Sequence, residues 1–256
     1  MFKILTERLH QKYRTVPYPA KEPALPPRFI GRPVLQTVSE ETLRPAMSLC
    51  PTDAIFYRNG APALDMGRCT FCGQCEKAAP DAISFSKDYR LAGLNRDELI
   101  VTPQGTLPKE DIPPVTPDSL RKIFKRSFRI REVSAAGCNA CEADCNVLTT
   151  VVFDLARFGI DFVASPRHAD AVLVTGPVPR NMQLALQKCY KAMPGPKVVI
   201  AVGACAISGG LFSDMDQDAR GASAHLTVDV FIPGCPPSPY TILHGLLRFL
   251  GVVDTL

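Results

Sequence analysis

The stretch KVVIAVGAC (residues 197–205) indicates the fold of the second half of the chain. It is a continuous apolar run rich in β-branched residues, as expected of a strand covered on both faces of a parallel sheet. Comparable runs alternate with helix-like segments along residues 128–249. The other runs are FRIREV (128–133), IDFVAS (160–165), AVLVTG (171–176) and VDVFIPG (228–234). This alternation predicts an α/β domain with a largely parallel sheet.

Cysteines follow three of these runs, each after a glycine or alanine. The runs are FRIREVSAAGCNAC, KVVIAVGAC and VDVFIPGC, which supply Cys138, Cys141, Cys205 and Cys235. Because ligands bind beyond the carboxyl ends of parallel strands, we expect these four thiols to converge in one crevice, where they suit a 4Fe-4S cluster. Buried structural cysteines are the alternative interpretation.

A second cysteine motif lies in the first half, in GRCTFCGQCEKAAP (67–80). Cys69, Cys72 and Cys75 have ferredoxin spacing, but Ala79 occupies the position of the fourth ligand. A weak repeat relates APDAISF (79–85) to CPTDAIFY (50–57), and the fourth cysteine of a two-cluster ferredoxin binds the cluster of the other repeat. This crossing predicts one 4Fe-4S site formed by Cys50, Cys69, Cys72 and Cys75.

The other cluster of such a duplicated motif has lost all its ligands. Its four positions are Glu40, Leu43, Ala46 and Ala79. Random loss of cysteines is unlikely to remove all four ligands of one crossed cluster and to spare all four ligands of the other. The pattern therefore favours an intact cluster site on the remaining four cysteines. A structural zinc site is the alternative, although zinc sites usually pair two C-x2-4-C units.

Longer segments resemble known electron-transfer subunits. GCNACE, SPRHADAVLVTGPVPRNM, MPGPKVVIAVGACAISGG and VDVFIPGCPPSP are similar to the small subunit of membrane-bound NiFe hydrogenases and its complex I relative. VPYPAKEP, FIGRP and GRCTFCGQCE resemble the ferredoxin-like subunit of formate hydrogenlyase. The resemblance implies an α+β ferredoxin-like domain (1–100), a Pro-rich linker (101–118) and an α/β flavodoxin-like domain (119–256), which holds the proximal cluster.

The implied function is electron relay between two 4Fe-4S clusters and the active site of a separate NiFe-type large subunit. The C-x2-C spacing of Cys138 and Cys141 favours the hydrogenase form, because the complex I form has adjacent cysteines there. Membrane-arm subunits and other ferredoxin-like subunits are the further partners expected. An equivalent relay in a complex I-like assembly without nickel is the alternative, and a zinc protein binding nucleic acid is a remote one.

Bulk properties agree with this interpretation. The 256 residues include ten cysteines and carry a net charge of +4, too little to indicate nucleic-acid binding. The N-terminus lacks the features of an export signal, and no stretch is long and apolar enough to span a membrane. We therefore expect reduced thiols and a cytoplasmic chain attached to the membrane through its complex.

Several other residues have open roles. Cys145 and Cys189 are interpreted as bystanders, and Glu142 either passes protons or is a solvated or salt-bridged carboxylate. His168 is expected to make a structural hydrogen bond, and the four histidines (10, 168, 225 and 244) lack metal-binding spacing. The basic run at 121–131 is either a docking surface or a solvated helix face.

Overall fold

The computed structural model describes residues 2–106, 123–124 and 127–253. The helices within these ranges are α1 (Phe2–Gln11), α2 (Glu40–Leu49), α3 (Gln74–Ala78), α4 (Ala140–Val147), α5 (Arg180–Ala192), α6 (Ala204–Ser208) and α7 (Pro239–Phe249). The strands are β1 (Pro33–Leu35), β2 (Ile55–Arg58), β3 (Ala61–Asp65), β4 (Ile83–Phe85), β5 (Ile100–Thr102), β6 (Gly105–Thr106), β7 (Phe128–Ser134), β8 (Ile160–Phe162), β9 (Ala171–Thr175), β10 (Val198–Val202) and β11 (Val230–Ile232).

A five-stranded parallel sheet forms the centre of the second half. Its order is β11-β10-β9-β7-β8, and every neighbouring pair is parallel. Numbered from β7, this is the order 2-1-3-4-5 of flavodoxin-like folds, so the predicted α/β architecture is confirmed. Because helices and loops cover both faces, β9 and β10 are buried at every position.

Helix α7, which packs on one face of the parallel sheet, begins at residues that favour a helix start. The hydroxyl of Ser238 accepts a hydrogen bond from the Thr241 N–H at 3.2 Å, and Pro239 occupies the first helical turn. Both features favour a helix start, since they satisfy or remove N–H groups that lack helical partners. The helix buries Ile242 and Leu246 in the core on one face of the sheet.

The first half contains two antiparallel sheets. One has the order β2-β3-β5-β6, and the other pairs β1 with β4. Strands β5 and β6 reach Thr106, so the first residues of the predicted 101–118 linker are in a sheet. The rest of that linker, 107–118, lies outside the described residues.

Apolar packing fills the positions that would hold a second cluster in a duplicated ferredoxin motif. Leu43 and Ala46 on α2 are fully buried, and Ala79 after α3 is 5% exposed, whereas Glu40 faces solvent. Helices α2 and α3 pack against each other at this point. Three of these four positions therefore contribute to the hydrophobic core.

The two halves share one core. Gly93 and Phe231 exchange backbone hydrogen bonds of 2.9 and 2.8 Å, which adds an antiparallel bridge to the edge strand β11. The Ser208 hydroxyl donates to the Gly67 carbonyl at 3.0 Å. A single hydrophobic cluster extends from the helices of the first half to one face of the parallel sheet. The positions of the two cysteine sets are consequently fixed relative to each other.

Candidate metal centres

The first predicted cysteine set lines one pocket. Cys50 ends α2, Cys69 and Cys72 lie in the loop after β3, and Cys75 is in α3, and all four are among the lining residues. Gly73 has φ +70°, a conformation that glycine adopts without strain, and it turns the chain into α3. The structure therefore brings together residues that are 25 positions apart in the sequence.

Backbone groups in this pocket point to sulfur. The Ala54 N–H donates to Cys50 Sγ at 3.3 Å, and the Phe71 N–H donates to Cys69 Sγ at the same distance. Such N–H···S hydrogen bonds stabilise negative charge on thiolates and tune the potential of iron-sulfur clusters. The apolar side chains of Leu64 and Phe85 complete the pocket and limit water access.

Burial makes these thiols unfavourable as free anions. The pKa of Cys69 is raised to about 12, chiefly by burial and then by Cys75, Cys50 and Cys72, although the Phe71 N–H lowers it in part. The pKa of Cys75 rises to about 11, chiefly from burial and then from Cys72 and Cys50. Four converging thiolates need a bound cation to offset their repulsion, and metal binding supplies it.

The second cysteine set lies at the carboxyl edge of the parallel sheet. Cys138 and Cys141 follow β7, Cys205 follows β10 in the first turn of α6, and Cys235 follows β11. The Gly203 N–H donates to the Ile232 carbonyl at 2.8 Å, and the Ala204 N–H donates to the Gly234 carbonyl at 2.9 Å. These bonds hold two of the strand-end loops side by side, as the sequence led us to expect.

Glycines make room for sulfur in this site. Gly203 has φ +90°, and a Cβ placed on it would lie 2.6 Å from Cys141 Sγ. A Cβ on Gly210 would lie 3.0 Å from Cys205 Sγ. Contacts this short between a Cβ and a sulfur are rare in real structures. The absence of a side chain at Gly203 and Gly210 therefore leaves space for the two sulfurs.

The thiols of the second set also influence one another. Burial raises the pKa of Cys141 to about 12, with added contributions from Glu142, Cys205, Cys235 and Cys138. The pKa of Cys205 rises to about 11, mainly from burial and then from Cys235 and Cys138. Mutual electrostatic effects of this kind require the four sulfurs to share one site.

The loops that carry the two cysteine sets lie close together. A surface cavity is lined by Thr70 and Phe71 from one half and by Gly234 and Cys235 from the other. The pKa of Cys235 is raised by burial first, then by Cys138 of its own set, and then by Cys72 of the other set. The loop after β3 and the loop after β11 therefore face each other between the sites.

The two cysteine sets have the donor chemistry of iron-sulfur clusters. A 4Fe-4S cluster is bound by four thiolates, each through a different iron, and each set offers four thiols. Across residues 2–106, 123–124 and 127–253, no group of three or more His, Cys, Asp or Glu side chains is arranged to hold one metal ion.

Glu142 is neither solvated nor held by an ion pair in the described structure. It is 6% exposed and accepts hydrogen bonds from the hydroxyls of Ser134 at 2.6 Å and Thr175 at 2.7 Å. Burial raises the pKa of this carboxyl, but the two hydroxyl donors outweigh it, and the net pKa is below the usual value. The sequence analysis missed both hydroxyls, because their proximity depends on the pairing of β7 with β9.

The remaining two cysteines belong to neither set. Cys145 lies on α4 one turn after Cys141, but it is fully buried among apolar residues, and burial raises its pKa well above the usual value. Cys189 on α5 is half-buried against the other core cluster, and its thiol contacts Arg131. Both positions agree with the interpretation of these residues as packing residues.

Two minor predictions need correction. The basic run at 121–131 is not one helix face, because Phe128 and Ile130 are core residues of β7; residues 121–122 and 125–126 lie outside the described part. His168 is exposed, and its backbone N–H, not its imidazole, donates a hydrogen bond to Ser165 O at 3.1 Å.

Comparisons with known proteins match the second half of the chain. A sequence model for the family described as NADH ubiquinone oxidoreductase, 20 Kd subunit, matches residues 138–249, a range that includes all four cysteines of this set. Formate hydrogenlyase subunit 7 of Escherichia coli is 43% identical over 136 residues, which cover 53% of this chain and 53% of that protein. The matched part of the chain thus spans about half the length of this relative.

Two further relatives extend the match. The probable membrane-bound hydrogenase subunit mbhJ of Pyrococcus furiosus is 41% identical over 131 residues, covering 51% of this chain and 78% of that protein. An NADH-quinone oxidoreductase subunit of Clostridium beijerinckii is 46% identical over 112 residues, covering 43% of this chain and 66% of that protein. The chain therefore belongs to the family of the 20 kDa subunit of NADH ubiquinone oxidoreductase, which its hydrogenase relatives share.

Proposed function

We propose that this chain is the electron-transfer subunit of a multisubunit, membrane-bound NiFe hydrogenase of the formate hydrogenlyase type. It would hold one 4Fe-4S cluster on Cys50, Cys69, Cys72 and Cys75 and a second on Cys138, Cys141, Cys205 and Cys235. The relatives named as formate hydrogenlyase and membrane-bound hydrogenase subunits support the assignment. The first half adds a ferredoxin-like domain to the 20 kDa subunit domain.

The observation that carries this proposal is that the loops bearing the two cysteine sets lie side by side. Thr70 and Phe71, between Cys69 and Cys72 of the first set, line the same cavity as Gly234 and Cys235 of the second. A relay needs its centres close and in fixed positions, and the shared core between the halves supplies both conditions. Cys138 and Cys235 are exposed, so the second site is open to a partner on its outer side.

When bound, the clusters supply one-electron redox chemistry. The chain itself provides thiolates, the N–H groups of Ala54 and Phe71 aimed at sulfur, and the bare backbone of Gly203 and Gly210. These features set cluster position, potential and exposure. Proton reduction or hydrogen oxidation is assigned to a separate NiFe-type large subunit.

A relay in a complex I-like assembly is the second candidate, and the similarity to the NADH-quinone oxidoreductase subunit of Clostridium beijerinckii favours it. Membrane-arm subunits are expected partners in both cases. Within the described residues no helix has the length and apolarity to cross a bilayer, so we assign the chain a peripheral place in the complex, on the cytoplasmic side. Nickel analysis of the purified complex distinguishes the two candidates, because only the hydrogenase contains nickel.

The test is iron and sulfide analysis with EPR on anaerobically purified, dithionite-reduced protein. We expect about eight irons per chain in the wild type and about four in Cys50→Ala. Cys189→Ala is the matched control: it also removes a partly buried thiol, but one that lies outside both sets, and it should keep about eight.

Two results would refute the two-cluster relay. One is a wild-type chain with about four irons that Cys50→Ala retains in full, because the first set would then hold nothing. The other is colourless protein with stoichiometric zinc, which would support the zinc alternative.

A further inference from the structure

Helix α1 has no packing partner in the described structure. None of its ten residues is buried, and Phe2 and Leu9 are 88% and 76% exposed. Isolated helices of this length are marginal in water, since they lack the tertiary packing that offsets the cost of nucleation. A stable α1 therefore implies a surface that takes its apolar side chains.

Three of the four large apolar residues of α1 form one stripe. Phe2, Leu5 and Leu9 are spaced i, i+3 and i+7, which places them on one face of a helix about 15 Å long, whereas Ile4, 74% exposed, lies off this face. Tyr13, just beyond the helix, is also exposed and contacts the Arg8 guanidinium through its ring at 4.8 Å. Such a stripe is wide enough for shallow insertion but too short to span a bilayer.

Positive charge surrounds this stripe. Residues 2–14 contain four cationic side chains and one anionic side chain, Glu7, for a net charge of +3. The cationic residues are Lys3, Arg8, Lys12 and Arg14. Basic amphipathic helices of this kind lie in the headgroup region of anionic membranes, where each Lys or Arg adds electrostatic attraction.

The segment that follows α1 is hydrogen-bonded to the second half. The Thr15 hydroxyl donates to the Val151 carbonyl at 2.8 Å, and the Val16 N–H donates to the Val152 carbonyl at 2.8 Å. Val151 is itself 72% exposed. These bonds anchor the chain four residues after the end of α1, at the loop that follows α4, the helix that contains Cys141.

We propose that α1 docks on an anionic lipid surface, with Phe2, Leu5 and Leu9 inserted among the headgroups and the surrounding cations against lipid phosphates. The chain thereby contributes its own contact to membrane attachment, in addition to any contact through partner subunits. The inference goes beyond the proposed relay and does not depend on it, because lipid binding by α1 requires neither cluster.

Vesicle flotation of the full chain tests this docking. The probes are vesicles of phosphatidylcholine alone and vesicles with 30 mol% phosphatidylglycerol, at low and at high salt. We expect binding to the anionic vesicles that weakens with salt. The double variant Leu5→Glu/Leu9→Glu should weaken it more than tenfold, and Lys3→Gln/Lys12→Gln by roughly 25-fold, about fivefold for each charge removed.

The matched control is Leu184→Glu/Leu211→Glu, which places the same two charges at exposed leucines outside α1, 60% and 52% exposed. It should bind like the wild type. Because α1 buries nothing, the variants should also keep the wild-type circular dichroism spectrum and unfolding midpoint. Equal binding to both vesicle types, no binding to either, or equal losses in Leu184→Glu/Leu211→Glu and Leu5→Glu/Leu9→Glu would overturn the proposal. Loss of iron from the clusters would leave the lipid result unchanged, so failure of the relay and failure of the docking are distinguishable.

Discussion

Gly203→Ala should remove the second cluster and leave the first. A Cβ at this position lies 2.6 Å from Cys141 Sγ, whereas ordinary contacts begin near 3.4 Å, so the sulfur must retreat by about 0.8 Å. Metal-ligand geometry tolerates deviations of only about 0.2 Å. The positive φ of +90° adds roughly 1–2 kcal/mol of backbone strain for a residue with a side chain. The steric clash should therefore dominate, and Cys141 should no longer bind iron.

The assay is iron content with EPR of the dithionite-reduced protein. We expect a decrease from about eight to about four irons per chain and loss of one of two EPR components. Gly60→Ala is the matched control, because Gly60 has φ +77° but nothing within 4 Å of the added Cβ, so it reproduces the strain without the clash. Eight irons and both components in Gly203→Ala would refute the reasoning, as would equal iron loss in the control.

The remaining predictions concern stability. Arg248 is 5% exposed and pairs with Glu98 at 2.7 Å across the two halves, so Arg248→Met should cost about 3–5 kcal/mol and lower the thermal midpoint by at least about 6 °C. The double variant Arg248→Met/Glu98→Gln leaves no unpaired charge and should recover much of the loss; simple additivity of the two single variants would contradict this explanation. Burial, and then the charge of Arg248, lowers the pKa of His244 to about 4, below the unfolded value of 6.5. The unfolded chain binds this proton first, so stability should fall as pH decreases from 6.5 to 4, by up to about 3 kcal/mol. His244→Gln should show a smaller decrease in acid unfolding experiments, and an unchanged pH profile would contradict the assignment.

Short-range patterns in the sequence were sufficient to predict the elements and to select the candidate cysteines. The apolar run at 198–202 predicted a buried strand, which the structure confirms, and the Cys69, Cys72 and Cys75 spacing indicated a ferredoxin-type loop. The crossing rule added Cys50, which the structure places in the same pocket. Strand periodicity and thiol spacing are local properties of the chain, whereas cluster binding by these cysteines stays a prediction.

Other features depend on long-range contacts. The hydroxyls around Glu142 come from Ser134 and Thr175 on paired strands, and no spacing in the sequence relates these residues. The basic run at 121–131 was interpreted as a helix face, but burial of Phe128 and Ile130 makes its second part a strand. When the sequence of a short segment is compatible with both a helix and a strand, its tertiary contacts decide which of the two forms.

The sequence by itself predicted the candidate ligands, the two sets of four cysteines, and determined the parallel α/β architecture. The tertiary structure alone decided that the first half and the second half share a core, that the loop before Cys72 lies beside the loop that carries Cys235, and that Gly203 leaves space for Cys141 Sγ. The physical reason is that spacing and periodicity specify which groups a segment presents. The distance between groups on different segments is set by packing between elements that are far apart in the chain.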